Sequence, residues 1–544
     1  MAFVPSPRLS WALLGVSGAP PRSVPSALIV ALLSRAVTGA VVEKLVLVGI
    51  IALATLGAAR LVPSDRPVAR VAGGVLYAWN PFTYERLLVG HWALLLGYAV
   101  LPWVVDAAVR FRRGEAGAAG LLVLALFLAM VPGPYTGILG GAVAVAVCLS
   151  PPWRERLRAV ARRGAVLAGA VAAANLPWLV PALLGPAVPE RPLLATALFR
   201  ARSDSPLGTI GSLLSLGGLW RTDVAPPGRT AGLWIPAFVL IAGLTVSGWA
   251  RLGRRWPAGA VSGISAAAAV GMLLAAAPSV GGLDAVSRWL SGLPGGGILR
   301  DSQKFVIPLA LAGSVGFGLG VERVLQAIPP TDRLVRRSAA ALAILPVALA
   351  PTLAWGESGR LFPSRYPPSW GRVESVVASD PLPGGILALP WHAFLPFRWN
   401  RDRPVHQPAL QYFSRPVLSS SSLEVGPYRL PDEDPWARRA APVVEGRGPL
   451  PPQLRRLGVR YVVVFKEADW RRYPPRLIGL PALFDAPDLR LYRSPMPADV
   501  PSFPAPPLGA VLVGDLLTTA VVGGAAWAVH RSARARSFRS RSGS

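Results

Sequence analysis

The residues best suited to chemistry lie in three polar segments that interrupt a largely apolar sequence. The first segment, Asn80–Trp92, places Glu85, Arg86 and His91 within about two helical turns, so one helix face could hold all three. A carboxylate and an imidazole held together in this way can take part in general acid–base catalysis. The alternative interpretation is that Glu85 and Arg86 form an ion pair at a membrane interface, beside aromatic side chains.

The second segment begins with three glycines at positions 295–297 and leads into the apolar stretch Phe305–Leu325. A flexible loop before a helix N-terminus, with free backbone N–H groups and two cations, can hold a phosphate group. The alternative is that Asp301 caps the helix while the cations extend toward the interface. The predicted phosphate-binding residues are Arg300, Asp301, Gln303 and Lys304.

The third segment is a long loop in which Arg202 and Asp204 precede Trp220. A guanidinium and a carboxylate in one loop suit the binding of a sugar phosphate, although an ordinary solvated loop has the same composition. Farther along the chain, Trp391 follows the strand-like run Ile386–Leu389 and could stack on a sugar. A buried aromatic residue at a strand end is the alternative interpretation.

Several other kinds of chemistry have no signature in the sequence. The chain has no P-loop and no GxGxxG, HExxH or GxSxG motif, and its four histidines lack metal-ligand spacing. Its single cysteine, Cys148, allows neither an intramolecular disulfide nor a cysteine metal site. We therefore expect no metal and no certain cofactor, and find no support for a hydrolase, an ATP-driven pump or a dehydrogenase.

The composition predicts an integral membrane protein. Of 544 residues, 52% are hydrophobic and 15% are charged, and the apolar residues form stretches of about 17–25, long enough to cross a bilayer. The net charge of +28 does not indicate nucleic-acid binding, because the arginines cluster between apolar stretches in the positive-inside pattern. We expect about eleven spans. They are Val41–Leu61, Val68–Phe82, Trp92–Val109, Ala119–Val131, Tyr135–Leu149, Gly164–Leu184, Thr230–Ala250, Ala260–Ala277, Phe305–Leu325, Ser338–Trp355 and Leu508–Val529.

The Arg-rich loops set the expected orientation. The clusters near Arg110, Arg154, Arg251, Arg333 and Arg531 fall on one side, which is then cytoplasmic. The predicted organisation is an extracytoplasmic N-terminal segment 1–40, a transmembrane helical domain 41–355, an extracytoplasmic α/β domain 356–507, a final span 508–529 and a basic cytoplasmic tail 530–544. Residues 119–149 are expected to form a hairpin that is broken midway.

Three blocks of the sequence resemble a known group of proteins. The blocks are YAWNPFTYERLLVGHWALLLGYAVLPW, LRDSQKFVIPLALAGSVGFGLGVERVL and LRRLGVRYVVVFKEADW. They are similar to actinobacterial integral membrane proteins of the C superfamily of glycosyltransferases (GT-C), which includes arabinofuranosyltransferases of the mycobacterial cell envelope. The resemblance covers most of the chain and implies a GT-C-like α-helical fold in the plasma membrane.

The resemblance also implies an activity. GT-C enzymes move a sugar from a polyprenyl-phosphate donor to an acceptor on the outer face of the membrane. The partners would be membrane lipid, this lipid-linked sugar and a glycan or lipid acceptor of the cell envelope. Carried over by position, Arg300 and Lys304 would bind the donor phosphate. The candidate catalytic residues are Glu85, His91 and Asp204, and the candidate acceptor-lining residues are Arg86, Arg202, Trp220 and Trp391.

One part of the family pattern is missing from this chain. The family's base is a carboxylate in the first outer loop, but residues 1–40 contain no acidic residue and the first one is Glu43. Eleven spans with a cytoplasmic C-terminus would also leave the N-terminus outside, with nothing to carry it there. We therefore expect the native protein to begin upstream, with a twelfth span and the principal base. Glu85 could replace that base only weakly, because Arg86 should keep the pKa of Glu85 low.

Two other functions stay open. A transporter or flippase for a lipid-linked glycan would place charges along a path through the bilayer, whereas charges deep within the predicted spans are rare. A non-catalytic scaffold for envelope assembly is the remaining alternative, because the catalytic carboxylate has not been placed.

Overall fold

The computed structural model describes residues 3–153, 156–187, 191–293, 295–327 and 333–541. The chain divides into two compact units. The first, which we call the α/β unit, is formed by Met1–Leu45, Val180–Arg191 and Pro363–Val511. The second, the helical unit, is formed by Val46–Leu179, Pro192–Phe362 and Leu512–Ser544.

Most of the described chain is helical. The α-helices are Ser26–Ala36, Gly39–Leu61, Pro67–Ala78, Pro81–Val89, Trp92–Arg112, Ala118–Met130, Pro134–Leu149, Leu157–Leu184, Pro192–Leu198, Gly208–Leu214, Ile235–Leu252, Ala258–Ala276, Asp284–Ser291, Ile307–Ala327, Arg333–Ile344, Ala354–Gly359, Pro368–Ser379, Ala409–Tyr412, Pro435–Glu445, Pro451–Leu454 and Leu508–Arg541. As predicted, residues 119–149 form two helices separated by a break at Val131–Gly133.

Seven helices within the described residues are long and apolar enough to cross a membrane, so the chain is a multi-pass membrane protein. They are Gly39–Leu61, Trp92–Arg112, Leu157–Leu184, Ile235–Leu252, Ala258–Ser279, Ser302–Ala327 and Leu508–Ala535. A helix pair bent by 85°, Arg337–Leu349 with Pro351–Gly359, would make an eighth span if it acts as one. The predicted number of eleven spans is therefore not supported.

The predicted and observed numbers of spans differ because several of the helices are short. Three predicted spans correspond to helices of 12, 13 and 16 residues, Pro67–Ala78, Ala118–Met130 and Pro134–Leu149. At about 1.5 Å per residue these helices reach about 18–24 Å, less than a hydrocarbon core of about 30 Å. The number of spans therefore no longer supports a twelfth, upstream span, and an upstream start stays a prediction from the missing first-loop carboxylate. The membrane side of each loop stays a prediction, and Arg154 lies outside the described residues.

Two spans form the interior of the helical unit. The apolar window of Ser302–Ala327 is 83% buried and that of Trp92–Arg112 is 67% buried, against 17% for Ile235–Leu252. Glycines let the inner helix touch its neighbour, since a Cβ atom at Gly248 would lie 2.0 Å from the backbone oxygen of Gly316. The first two polar segments are attached to the N-terminal ends of these interior spans.

Among its described residues, the α/β unit contains nine strands. They are β1 Gly385–Leu389, β2 Phe394–Phe397, β3 Arg403–His406, β4 Val417–Leu418, β5 Leu423–Val425, β6 Tyr428–Leu430, β7 Val459–Phe465, β8 Ala482–Asp485 and β9 Leu489–Arg493. Five of them form one sheet in the order β4-β1-β7-β9-β8, in which β1 runs parallel to both β4 and β7. The strand-like runs predicted at Ile386–Leu389, Tyr461–Phe465 and Leu489–Tyr492 are confirmed.

Helices cover both faces of this sheet. The Pro435–Glu445 helix packs with Leu387 and Leu389 of β1, whereas the Pro368–Ser379 helix packs with Ile386 and Ala388 on the opposite face. All five residues of β1 are buried, as expected for a central parallel strand. The N-terminal part of the chain belongs to the same unit, because the Arg8 N–H donates to the backbone oxygen of Gln411 at 2.9 Å.

Candidate functional site

The Pro81–Val89 helix carries Glu85 and Arg86, and its two ends are set by particular residues. The Asn80 side chain accepts a backbone N–H of the first turn at 3.1 Å, and the proline that follows needs no hydrogen-bond partner there. Gly90 ends the helix with a φ of 81°, which glycine adopts without strain. This short helix is separate from the membrane spans and directs its polar side chains into the helical unit.

Arg86 connects segments that lie 215 residues apart in the sequence. Its guanidinium is 0% exposed and donates two hydrogen bonds to the Asp301 carboxylate, the longer one at 2.9 Å. It also donates to Gln303 Oε1 at 2.7 Å and to His91 Nδ1 at 2.9 Å. Because an arginine can only donate, His91 Nδ1 is an acceptor and the ring proton is on Nε2. Arg86, predicted to line an acceptor site, directs both terminal nitrogens of its guanidinium at protein groups.

The Asp301 segment adopts a local structure different from the predicted cap. Asp301 has a φ of 63° and its side chain caps no helix, because it faces Arg86 instead. The chain continues as a 3₁₀ helix, Ser302–Val306, before the α-helix Ile307–Ala327 begins. The Ser302 hydroxyl accepts the N–H of Ala201 at 3.0 Å, which ties the second polar segment to the third.

Glu85 and Asp204 form a buried pair of carboxyl groups. Glu85 Oε2 accepts the N–H of Leu219 at 3.3 Å and an amide hydrogen of Gln303. Asp204 Oδ2 accepts from Arg229 Nε at 2.7 Å, and both partners are 1% exposed. The two carboxyl groups act on each other's pKa, and a proton on one of them would allow a hydrogen bond between them.

The surroundings place that proton on Glu85. Burial and the negative charge of Asp204 raise the pKa of Glu85 well above its ordinary value, against weaker opposing effects of Arg229 and Arg86. Burial also acts to raise the pKa of Asp204, but the charge and hydrogen bond of Arg229 lower it overall. The expectation that Arg86 keeps the pKa of Glu85 low is therefore wrong. Adjacent helix residues project in different directions, and Arg86 faces Asp301.

Four of the predicted residues around Arg86 are only partly buried, and we call them the open edge: His91, Arg300, Asp301 and Lys304. The Lys304 ammonium lies 4.1 Å from the ring centroid of Tyr135, and the Arg300 guanidinium lies 5.8 Å from that of Phe199. These cation–π contacts orient both cations. We call the enclosed residues the buried cluster: Glu85, Arg86, Asp204, Arg229 and Gln303.

The open edge carries two cations and one ionised carboxylate. The pKa of His91 is lowered to about 4 by burial first, then by Arg86 and the nearby charges of Lys304 and Arg300, so the ring is neutral at pH 7. Burial acts to raise the pKa of Asp301, but the charge and hydrogen bonds of Arg86 lower it overall. Asp301 is therefore ionised at neutral pH, and its side chain is 16% exposed.

The remaining predicted residues lie apart from this network. Arg202 is exposed, and Trp220 is half-buried with its ring in edge contact with Phe199 at 4.8 Å. Trp391 belongs to the α/β unit, where it is 2% exposed within the core. Its burial favours the interpretation as a core aromatic residue over stacking on a sugar.

Sequence reasoning missed Arg229 and Tyr135. Arg229 completes the Asp204 pair, and its guanidinium also lies 4.5 Å from the ring centroid of Trp234. One signal was present, because Arg229 is the single basic residue between Arg221 and Arg251 and precedes an apolar helix. Tyr135 follows the glycine–proline break in the predicted hairpin, and its hydroxyl donates to the Lys304 backbone oxygen at 3.1 Å.

No group of three or more His, Cys, Asp or Glu side chains that could hold a metal ion occurs in the described ranges. The arrangement instead offers two oriented cations, one ionised carboxylate and one imidazole N–H at the open edge. Such a set can bind an anion beside a hydroxyl group without a metal ion.

Comparison with known proteins shows which solved structures have a similar fold. No protein-family model matches the sequence, and no curated protein matches it in sequence. The structure is similar to the cryo-EM structure of the arabinofuranosyltransferase AftD from mycobacteria, with a TM-score of 0.57 and 19% identity over 90% of this chain and 38% of that one. A mutant of AftD gives a TM-score of 0.61 and 17% identity over 91% of this chain and 40% of its own. The chain thus spans about 40% of the length of that enzyme. At these identities the likeness concerns the fold, and the resemblance to GT-C glycosyltransferases predicted from the three sequence blocks is confirmed at that level.

Proposed function

We propose that this chain is a membrane glycosyltransferase that moves a sugar from a polyprenyl-phosphate donor to a glycan or lipid acceptor of the cell envelope, on the outer face of the membrane. The observation that carries the proposal is the open edge. Two oriented cations and one ionised carboxylate meet there, on a fold similar to that of an arabinofuranosyltransferase.

The cations of the open edge would bind the donor phosphate. Lys304 and Arg300 are held against aromatic rings, so little conformational freedom is lost when they bind an anion. Both lower the pKa of the neutral His91 ring, which indicates that their charges act on the same small region. Charge-assisted hydrogen bonds of this kind are worth about 1.5–3 kcal/mol each.

Asp301 would act on the acceptor. Glu85 is 1% exposed and protonated, and Asp204 is buried against Arg229, so neither can take a proton from a substrate. Asp301 is ionised and partly exposed. In the proposed step the acceptor oxygen forms a bond to the anomeric carbon, the bond from that carbon to the phosphate oxygen breaks, and the hydroxyl proton passes to Asp301. We assign Glu85 and Asp204 to positioning, since Glu85 accepts from Gln303 and Leu219 and Asp204 accepts from the N–H of Gly218.

Donor binding can be tested with the double variant Arg300→Ala/Lys304→Ala in lipid nanodiscs. We expect the affinity for a radiolabelled polyprenyl-phosphoryl arabinose to fall at least about a hundredfold, because two charge-assisted contacts are lost. The matched control, Arg254→Ala/Arg323→Ala, removes two exposed arginines of the same unit and should bind normally. Unchanged binding by a well-folded Arg300→Ala/Lys304→Ala variant would refute the phosphate site.

Transfer can be tested separately with Asp301→Asn. We expect its rate to fall by about 10²–10⁴ while donor binding persists, because an amide cannot take up the hydroxyl proton. Asp223→Asn, a change at an exposed carboxylate of the same unit, is the control. Full transfer activity in Asp301→Asn would contradict the assigned role.

One observation favours a non-catalytic scaffold as the second candidate. Arg86 and Arg229 are each paired with a carboxylate and Glu85 is protonated, so the charges of the buried cluster and Asp301 already balance without a substrate. A scaffold predicts donor binding with no transfer by the wild-type chain. Transfer that requires Asp301 would exclude it.

A further inference from the structure

The α/β unit has a crevice where two of its strands end. Strands β1 and β7 are adjacent and parallel, so their carboxyl ends, at Leu389 and Phe465, lie at the same edge of the sheet. The chain passes from β1 to β4 on one side and later returns to β7 on the other, and helices cover the two faces. In open α/β sheets, ligands bind in the crevice at such a switch in strand order.

A cleft of about 480 Å³ occupies this position. Its walls are formed by Pro396, Arg398 and Asp402, which follow β1, and by the segment Lys466–Arg471, which follows β7. A cleft of this size suits a small organic ligand. We call it the strand-end cleft.

The charged side chains of the strand-end cleft balance one another. Arg398, Lys466 and Arg471 contribute three positive charges, and Asp402, Glu467 and Asp469 contribute three negative charges. Contacts within the wall orient several of them, since Arg398 lies 3.4 Å from Glu467 and donates to the backbone oxygen of Lys466 at 3.1 Å. Asp469 is held by His392 at 3.2 Å. The balance does not favour a phosphate, which would meet three carboxylates.

An aromatic ring is part of the same wall. Trp470 packs partly against the core of the α/β unit, and the ammonium of Lys466 and the guanidinium of Arg471 lie 5.8 and 6.0 Å from its ring centroid. An aromatic face offers apolar contact to the C–H face of a pyranose or furanose ring. Oriented carboxylates and cations around it can hydrogen-bond the hydroxyl groups.

We propose that the strand-end cleft is a binding site for a neutral saccharide, with Trp470 as the stacking platform and Arg398, Asp402 and Arg471 as hydroxyl partners. The site consists of residues of the α/β unit, uses none of the residues assigned to transfer, and would hold a glycan chain independently of the reaction. This role goes beyond the proposed glycosyl transfer, so the two proposals can fail separately.

The test measures glycan binding by the full chain in lipid nanodiscs. The probes are an array of arabinan, galactan, glucan and mannan oligosaccharides, with phosphorylated and carboxylated glycans for comparison. We expect binding to a subset of the neutral oligosaccharides, with little dependence on salt. Trp470→Ala should weaken it at least tenfold, and Trp470→Phe less, because a smaller aromatic face remains. Trp289→Ala, a change at a 66% exposed tryptophan of the helical unit, should have no effect.

A second variant separates binding from folding. Arg471 is exposed and outside the core, so Arg471→Ala should keep the fold and still weaken binding by about tenfold. Normal saccharide binding in both Trp470→Ala and Arg471→Ala would overturn the proposal. So would an absence of binding to every neutral oligosaccharide by the wild-type chain, or binding confined to the anionic glycans.

Discussion

Two groups of charged residues in this protein have similar side chains and opposite surroundings. In the helical unit, Arg86 and Arg229 are 0% and 1% exposed. In the α/β unit, Arg398 of the strand-end cleft is 70% exposed, although it too faces a carboxylate. A buried charge must be paired, so the first group holds the chain together, whereas the exposed side chains of the second group can exchange their present contacts for those of a ligand. Exposure, rather than residue type, separates structural charges from those available for binding.

The largest effect is expected from breaking the pair between Arg229 and Asp204. Arg229→Met leaves a carboxylate buried without its partner, which should lower the free energy of unfolding by about 3–5 kcal/mol. Denaturant titration of the purified protein in detergent measures this. The counterpart in the α/β unit is Arg472→Ala, which breaks an exposed pair with Asp469 and should cost about 1 kcal/mol or less. Equal losses of unfolding free energy in both variants would contradict the distinction between buried and exposed ion pairs.

The next effect concerns close packing around the same pair. A Cβ atom at Gly217 would lie 2.3 Å from an Arg229 nitrogen and 2.4 Å from Asp204 Oδ2. Gly217→Ala should therefore cost about 1–3 kcal/mol in the same titration. Gly371→Ala, in the Pro368–Ser379 helix of the α/β unit, meets its nearest atom at 3.9 Å and should stabilise by up to about 1 kcal/mol. A Gly217→Ala variant as stable as the wild type would mean that the Arg229–Asp204 pair is packed less tightly than the structure shows.

The smallest effect appears only as a dependence on pH. The pKa of Glu85 is raised in the folded protein, so Glu85 costs no stability below its ordinary value of 4.5 and reduces stability as the pH rises above it. Glu85→Gln resembles the protonated side chain and cannot ionise. Its stability relative to the wild type should therefore increase as the pH rises from 5 to 8. Thermal unfolding across that range measures the difference, and a constant difference would refute the assigned proton.

A carboxylate of the α/β unit should behave in the opposite way. The hydrogen bond from Arg490, with Lys466, lowers the pKa of Asp485 to about 2. Its stabilising effect is present above its ordinary pKa of 3.8 and is lost as the pH falls toward 2. Asp485→Asn should therefore be less stable than the wild type at pH 6 and approach it near pH 2. A wild-type advantage that persists at pH 2 would contradict this.

The sequence predicted which residues form the site better than it predicted which of these residues contact one another. Glu85, Asp204 and Gln303 were recognised because polar residues between apolar stretches are costly and therefore informative. That Glu85 meets Gln303, 218 residues away, could not be inferred, since it depends on how the spans pack. Arg86 was assigned to the wrong partner, because adjacency in sequence was taken for contact.

The fold was predictable to a similar extent. The strands of the α/β unit follow from short apolar runs between turn residues, and the broken hairpin follows from Pro132 and Pro134. The number of spans did not follow, because an apolar run can contain a helix of only 12 residues. Hydropathy reports composition, whereas helix bounds depend on caps and breaks that tertiary packing selects.

The α/β unit is assembled from pieces that the ribosome makes at different times. Its first piece, Met1–Leu45, is joined to the last one by a hydrogen bond from Arg8 to Gln411 and an ion pair from Arg22 to Glu433. During translation, residues 46–362 must be synthesised before either contact can form. The helical unit can therefore begin to fold before the α/β unit is complete. The segment Met1–Leu45 gains its contacts with Gln411 and Glu433 only after those residues have been synthesised. Premature termination after residue 362 would leave that first segment without its partners, exposed to quality-control proteases.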